Sequence, residues 1–164
     1  MAGLITKTAI SGILICIPFT LFVVISFKLN PRLWLQSLPD DIMRLVPPKN
    51  SKEKKLTKIV LLIYLLILPG LSIVSLILFS QQTEVSFLTI IFHLYGIWII
   101  VHLWDCIMDF IFIRLIDPEN PPIKGSEGAA GWSNYQFHIR SFLKAVLSGV
   151  VFILPTAIIL NFIL

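Results

Sequence analysis

Three ionisable side chains stand at helical spacing where a long apolar run ends: His102, Asp105 and Asp109, at i, i+3 and i+7. At about 100° per residue they share one helix face, and Tyr95, Trp98 and Cys106 fall in the same arc of roughly 100°. Carboxylates fused to an apolar helix cost free energy and tend to mark a working site. Oxygen and nitrogen donors in this pattern suit a divalent cation that keeps positions open for water or phosphate oxygens. The same groups suit proton exchange, because His titrates near neutrality. They equally suit pairing with a neighbouring helix, which holds the fold for a small net gain. All three readings stand, with His102, Asp105 and Asp109 as the candidate metal ligands.

A second group lies further along the chain. Pro118 to Pro122 is followed by Lys124-Gly125-Ser126-Glu127-Gly128-Ala129-Ala130-Gly131. Ser133 and Asn134 are both good helix caps. A glycine-rich turn leading into a helix N-terminus can hold an anion through backbone N–H groups and the helix dipole. Tyr135, His138 and Phe142 then share a face, with Arg140 and Lys144 close by. Gly125, Gly128, Tyr135, His138 and Arg140 are therefore the candidate ligand-binding residues, for a phosphate-bearing ligand. The bland alternatives are a flexible loop, and pairing of Asp105 or Asp109 with Arg140, Lys144 or His138. His93, on the opposite face of its helix, reads as a hydrogen-bonded packing residue.

The elements that must position these groups follow from composition. The chain is 57% hydrophobic and 13% charged over 164 residues, about half the charge of an average globular chain. Mean hydropathy is +0.92. Residues 9–27, 59–79, 85–103 and 145–164 hold no Lys, Arg, Asp or Glu. A hydrocarbon core of roughly 30 Å takes about 20 helical residues. The expectation is an all-α polytopic membrane protein, with four transmembrane helices in one antiparallel bundle. The third helix runs on to about residue 116, which puts Asp105 near the inner boundary of the hydrocarbon. The first run does not read as a cleavable signal peptide, because no small-residue cleavage site follows it and the basic residues lie after it.

Every Lys and Arg except Lys7 falls in segments 28–58 or 114–144. Basic residues in short loops stay cytoplasmic. The expected topology is a cytoplasmic membrane protein with both termini outside and both long segments inside. The net charge of +4 then faces anionic lipid, the expected partner, and no nucleic-acid motif accompanies it. Cys16 and Cys106 form no C-x-x-C and are expected as free thiols toward opposite faces. The 80–84 link is short enough to make the second and third spans an adjacent hairpin. Pro69-Gly70, and Gly149 with Pro155, predict kinks. Between the first two spans, Pro39-Asp40-Asp41 opens a short helix with Leu38, Ile42, Leu45 and Val46 on one face, suited to the membrane surface. Pro47-Pro48 ends it, and the tract 49–55 reads as a basic anchor.

The stretches Asn30-Pro31-Arg32-Leu33-Trp34-Leu35, Pro39-Asp40-Asp41-Ile42, Val46-Pro47-Pro48-Lys49, Trp104-Asp105 with Asp109, Lys124 to Gly128, and Tyr135-Gln136-Phe137-His138 resemble a group of small uncharacterised prokaryotic four-helix integral membrane proteins. The resemblance covers about residues 30 to 145. It implies a four-helix membrane protein and no activity. CDP-alcohol phosphotransferases and ubiquinone-type prenyltransferases are disfavoured, since only one D-x-x-x-D is present. H-E-x-x-H, G-x-S-x-G and the nucleotide-binding glycine motifs are absent. The sequence thus supports an integral membrane protein with a polar site for a cation or phosphate-bearing ligand. A transporter or channel subunit and a membrane scaffold are the alternatives, and enzymatic activity and oligomeric state stay open.

Overall fold

A computed structural model describes residues 2–81 and 83–164. The described residues are all-α, with four long helices and no strand. These are α1 (Ala2–Leu29), α3 (Ser51–Ser80), α4 (Phe87–Leu115) and α5 (Tyr135–Asn161), and each is long and apolar enough to cross a membrane. The short α2 spans Asp40–Leu45. Each long helix exceeds its charge-free run, because propensity and caps carry the helix into polar flanks that hydropathy does not count.

The caps fix where helices start. Asn50 and Glu53 form a reciprocal capping box at α3: each side chain accepts from the other's backbone N–H at 2.9 Å. Most of the basic tract 49–55, from Ser51 on, is therefore the first turns of α3, with Asn50 as its cap and Lys49 just before it. The Ser86 hydroxyl accepts from Thr89 N–H at the start of α4, and Asn134 Oδ1 accepts from Phe137 N–H at the start of α5. α3 and α5 run on through Pro69 and Pro155. The expected 80–84 link includes Gln82, which lies outside the described residues.

α4 is the central element. It packs most extensively on α5, then on α1, and less on α3. The short link thus joins two helices that touch, yet α3 is the lesser of α4's partners. Its contacts with α1 run in the same chain sense, from Thr8–His93 to Trp104–Thr20. Those with α5 run in the opposite sense, from Trp98–Ala145 to Asp109–His138. Gly96 lets α1 come close, since a Cβ there would lie 2.6 Å from Thr8 Cγ2. Cys16 and Cys106 are both buried and free. Cys16 clusters with Ile97 and Val101, about one and a half to two and a half turns before Cys106 on α4.

At the end where α1 and α4 terminate, a cap closes over the helices. It consists of a 3-10 helix (Pro31–Ser37), α2, and the segment after α4 with a second 3-10 turn (Ala130–Ser133). Leu35, Leu38, Ile42, Val46, Ile123, Ala129 and Trp132 form its own buried cluster, against Phe112 and Ile116. The amphipathic face expected for α2 therefore packs into this cap, with only Leu45 left exposed.

Candidate functional site

His102, Asp105 and Asp109 all line one cavity from α4, and Asp109 reaches α5. The preceding turns of α4 fix the helix pair. Tyr95 Oη–H donates to Val146 O at 2.9 Å, and Trp98 Nε1–H donates to Ala145 O at 2.8 Å. Gly149 makes room for the indole, since a Cβ there would sit 2.6 Å from Trp98 Nε1. Below it the two acids part company. His138 Nδ1–H donates to Asp109 Oδ2 at 2.6 Å, so Asp109 ties α4 to α5. Asp105, one turn earlier, makes no hydrogen bond or ion pair among the described residues. Nε2 of His102 is buried and likewise has no hydrogen-bond partner among them. Its ring is packed edge-on against Trp98, with centroids 4.6 Å apart.

These groups open onto one cavity of about 640 Å³. α1, α3, α4, α5 and the cap all contribute walls, including Val23, Phe27, Trp34, Tyr64, Phe112, Trp132 and Phe137. The polar lining includes His102, Asp105, Asp109, His138 and Ser141, with Gln36 and Ser37 from the cap and the exposed Lys28 on the last turn of α1. Apolar walls with a few convergent polar groups are the usual make-up of a small-molecule site. Tyr64 and the two tryptophans are site residues that the acid stripe does not reveal. The one sequence signal for Tyr64 is a polar-tipped side chain inside the apolar run of α3.

The glycine turn has a different role. Gly125 and Gly128 have φ of +89° and +71°, a backbone that glycine adopts freely. Their N–H groups are committed: Gly125 N–H donates to Glu127 Oε1 and Gly128 N–H to Pro118 O, both at 2.9 Å. Gly131 N–H donates to Asp41 Oδ2 at 2.7 Å, and the helix that follows is capped by Asn134. An anion would find these donors engaged. The Gly125 N–H also holds the Glu127 carboxyl below the usual carboxylate range. Tyr135 is exposed and packs on Phe110 at 5.2 Å, and Arg140 is exposed; neither lines the cavity. Of the expected ligand residues, only His138 joins the acid stripe. No three His, Cys, Asp or Glu side chains among the described residues are arranged to hold a metal ion. Asp109 is turned to His138 rather than to His102.

His93 belongs to a separate buried network. Ser75 Oγ–H donates to Ser11 Oγ at 2.7 Å, so His93 Nε2–H donates to Ser75, and Thr8 Oγ1–H donates to Nδ1, each at 3.0 Å. Every His93 ring nitrogen is satisfied, as a packing role requires. In the basic segment, Arg32 is engaged with Glu53 at 2.7 Å and Pro47 O at 2.8 Å. Lys49 Nζ–H donates to Leu33 O at 3.0 Å and Thr57 Oγ1 at 2.9 Å. Burial pulls the Lys49 amine below the ordinary lysine value, against the opposing pull of Glu53. Lys52, Lys54, Lys55 and Lys58 are exposed. In comparisons with known proteins the chain matches no family model, no curated protein and no solved structure.

Proposed function

We propose that this chain is a multi-pass protein of the cell membrane that binds a small amphipathic ligand in the cavity beneath the cap. In this reading the four long helices cross the bilayer as an antiparallel bundle. Both termini face outward, and the end of the helices that carries the cap, where every Lys and Arg except Lys7 lies in the cap or on the adjoining helix ends, faces the cytoplasm. Support comes from helix length and hydropathy and from the bias of basic residues to one end. Contact order agrees: α1 and α4 run together, and α5 runs against them.

The observation that carries the ligand reading is a partly apolar cavity lined by a buried polar atom, Nε2 of His102, that has no hydrogen-bond partner among the described residues. Asp105, half-buried and without a hydrogen bond or ion pair among the described residues, lines the same 640 Å³ space. Buried polar groups are normally hydrogen-bonded, and carboxylates within a membrane bundle face partners or cavities. The Asp109–His138 contact accounts for the neighbouring acid as a helix clamp, so a purely structural role covers half the polar stripe and leaves the other half unexplained. The four exposed lysines at the start of α3 are the surface offered to anionic lipid.

Native mass spectrometry of the full chain, purified gently from the membrane in which it is made, tests the reading. Wild-type protein is expected to retain a bound small molecule. A Cys106→Phe variant, which fills the cavity wall, is expected to lose it while keeping its helical circular dichroism. Equal retention by both would exclude the cavity as the binding place.

A further inference from the structure

Resting on that cavity reading, we propose that the ligand's polar end is a primary ammonium carried on an apolar body. The charges that face the cavity decide the sign. Asp105 and Asp109 come from α4 and His138 from α5, while α3 contributes Leu61 and Tyr64 and no charged group. His138, bonded to Asp109 at 2.6 Å and within electrostatic reach of Asp105, is one cation at most against two acids. Lys28 is exposed at the edge and forms no ion pair with either acid among the described residues. Asp105 is therefore an acid facing a largely apolar space with no cation of its own. A phosphate end would meet two carboxylates there. An ammonium end would meet the compensation that a desolvated carboxylate requires.

The number of acceptors favours a primary amine over a quaternary one. Nε2 of His102 is 7% exposed as a residue and unpartnered among the described residues. In the Nδ1–H tautomer it is an acceptor. Asp105 offers its carboxylate less than one turn away, and Asp109 uses only Oδ2 on His138. Three N–H groups of a primary ammonium match these acceptors, whereas a trimethylammonium has no N–H to give. The walls supply the other half of the specificity: Phe27, Trp34, Phe112 and Trp132 offer apolar and aromatic surface to the ligand's body. The volume of about 640 Å³ is ordinary for a compact organic ligand. The shared chemistry, an apolar body ending in a primary ammonium, fits both an aminolipid headgroup and a free amphipathic amine.

Equilibrium binding of tritiated dodecylamine to the full chain in phosphatidylcholine nanodiscs at neutral pH tests this. Binding is expected to saturate, with dodecanol, dodecyltrimethylammonium and dodecyl phosphate each competing about ten-fold or more weakly, the scale of one charge-assisted hydrogen bond. Asp105→Asn is expected to weaken dodecylamine by a similar factor and to leave dodecanol affinity nearly unchanged. Asp105→Glu, which keeps the charge, is expected to keep the preference for amine even if Asp105→Asn folds poorly. Competition by dodecanol or dodecyl phosphate equal to that of dodecylamine would overturn the ammonium assignment while sparing the cavity. Absence of saturable binding by all four probes, or binding unchanged in Cys106→Phe, would overturn the cavity reading itself and the assignment with it. Phosphatidylethanolamine added to the nanodiscs separates the two sources: displacement of dodecylamine identifies an aminolipid, and no displacement identifies a free amine.

Discussion

Nδ1 of His138 lies 2.6 Å from Oδ2 of Asp109, and this contact joins α4 to α5 in the cavity wall. The His138 side chain is 10% exposed and that of Asp109 39%, so the bond is screened from one side only. A double-mutant cycle with Asp109→Asn and His138→Phe is expected to show a coupling toward the low end of the range of about 0.5–3 kcal/mol for groups in contact. Thermal unfolding in detergent at neutral pH measures it. Additive losses would mean that the two side chains do not act as a pair.

Gly149 and Trp98 form the second clamp between the same helices. A valine at 149 has no room beside the indole, and the Trp98 N–H would lose Ala145 O. Gly149→Val is expected to destabilise by about 1–3 kcal/mol, the ordinary cost of overpacking, and to shift Trp98 emission. Single-tryptophan protein retaining only Trp98 makes that shift readable. An unaltered spectrum and melting temperature would show that the close approach is not required.

The four helices were legible because charge-free runs and membrane-scale length coincide, and the stripe of His102, Asp105 and Asp109 was legible because helical spacing alone puts them on one face. What escaped depends on partners distant in sequence. The glycine turn read as an open anion nest, but its donors go to Pro118, Glu127 and Asp41, and Asp41 lies 90 residues from Gly131. Lys49 read as part of the basic anchor and Arg32 as one of the basic residues of the same segment, and both are held by neighbours within the fold. The start of α3 was written locally, in Asn50-x-x-Glu53, and was obscured by the lysines around it. Tyr64 reaches the site only because α3 packs beside α1, a fact no periodicity contains.

The division of the basic segment has a measurable outcome. Lys52, Lys54, Lys55 and Lys58 are exposed, and each lysine near an anionic surface contributes about 1 kcal/mol of attraction. Replacing all four by Gln is expected to reduce enrichment of anionic lipid around the reconstituted protein, with little change in melting temperature. Lys49→Gln is expected to do the reverse, because it removes the bonds to Leu33 O and Thr57. Lipid enrichment that follows Lys49 instead of the exposed four would contradict this assignment.

Glu127 gives the cap an acid-sensitive latch. Gly125 N–H bonds its carboxylate and holds its folded-state value below the ordinary 4.5. A depressed acid stabilises the fold above its unfolded value and loses that contribution as pH falls through the folded one. The cap is therefore expected to hold steady down to about pH 4.5 and to loosen below it, with Trp132 reporting the change. The indole N–H of Trp132 reaches Ser126 O and Oγ at 3.1 Å, inside the same turn. Glu127→Gln, which lacks the titrating charge, is expected to flatten the acid limb of a Trp132 fluorescence titration. An acid limb of the same size in wild type and Glu127→Gln would assign the loosening to another carboxylate.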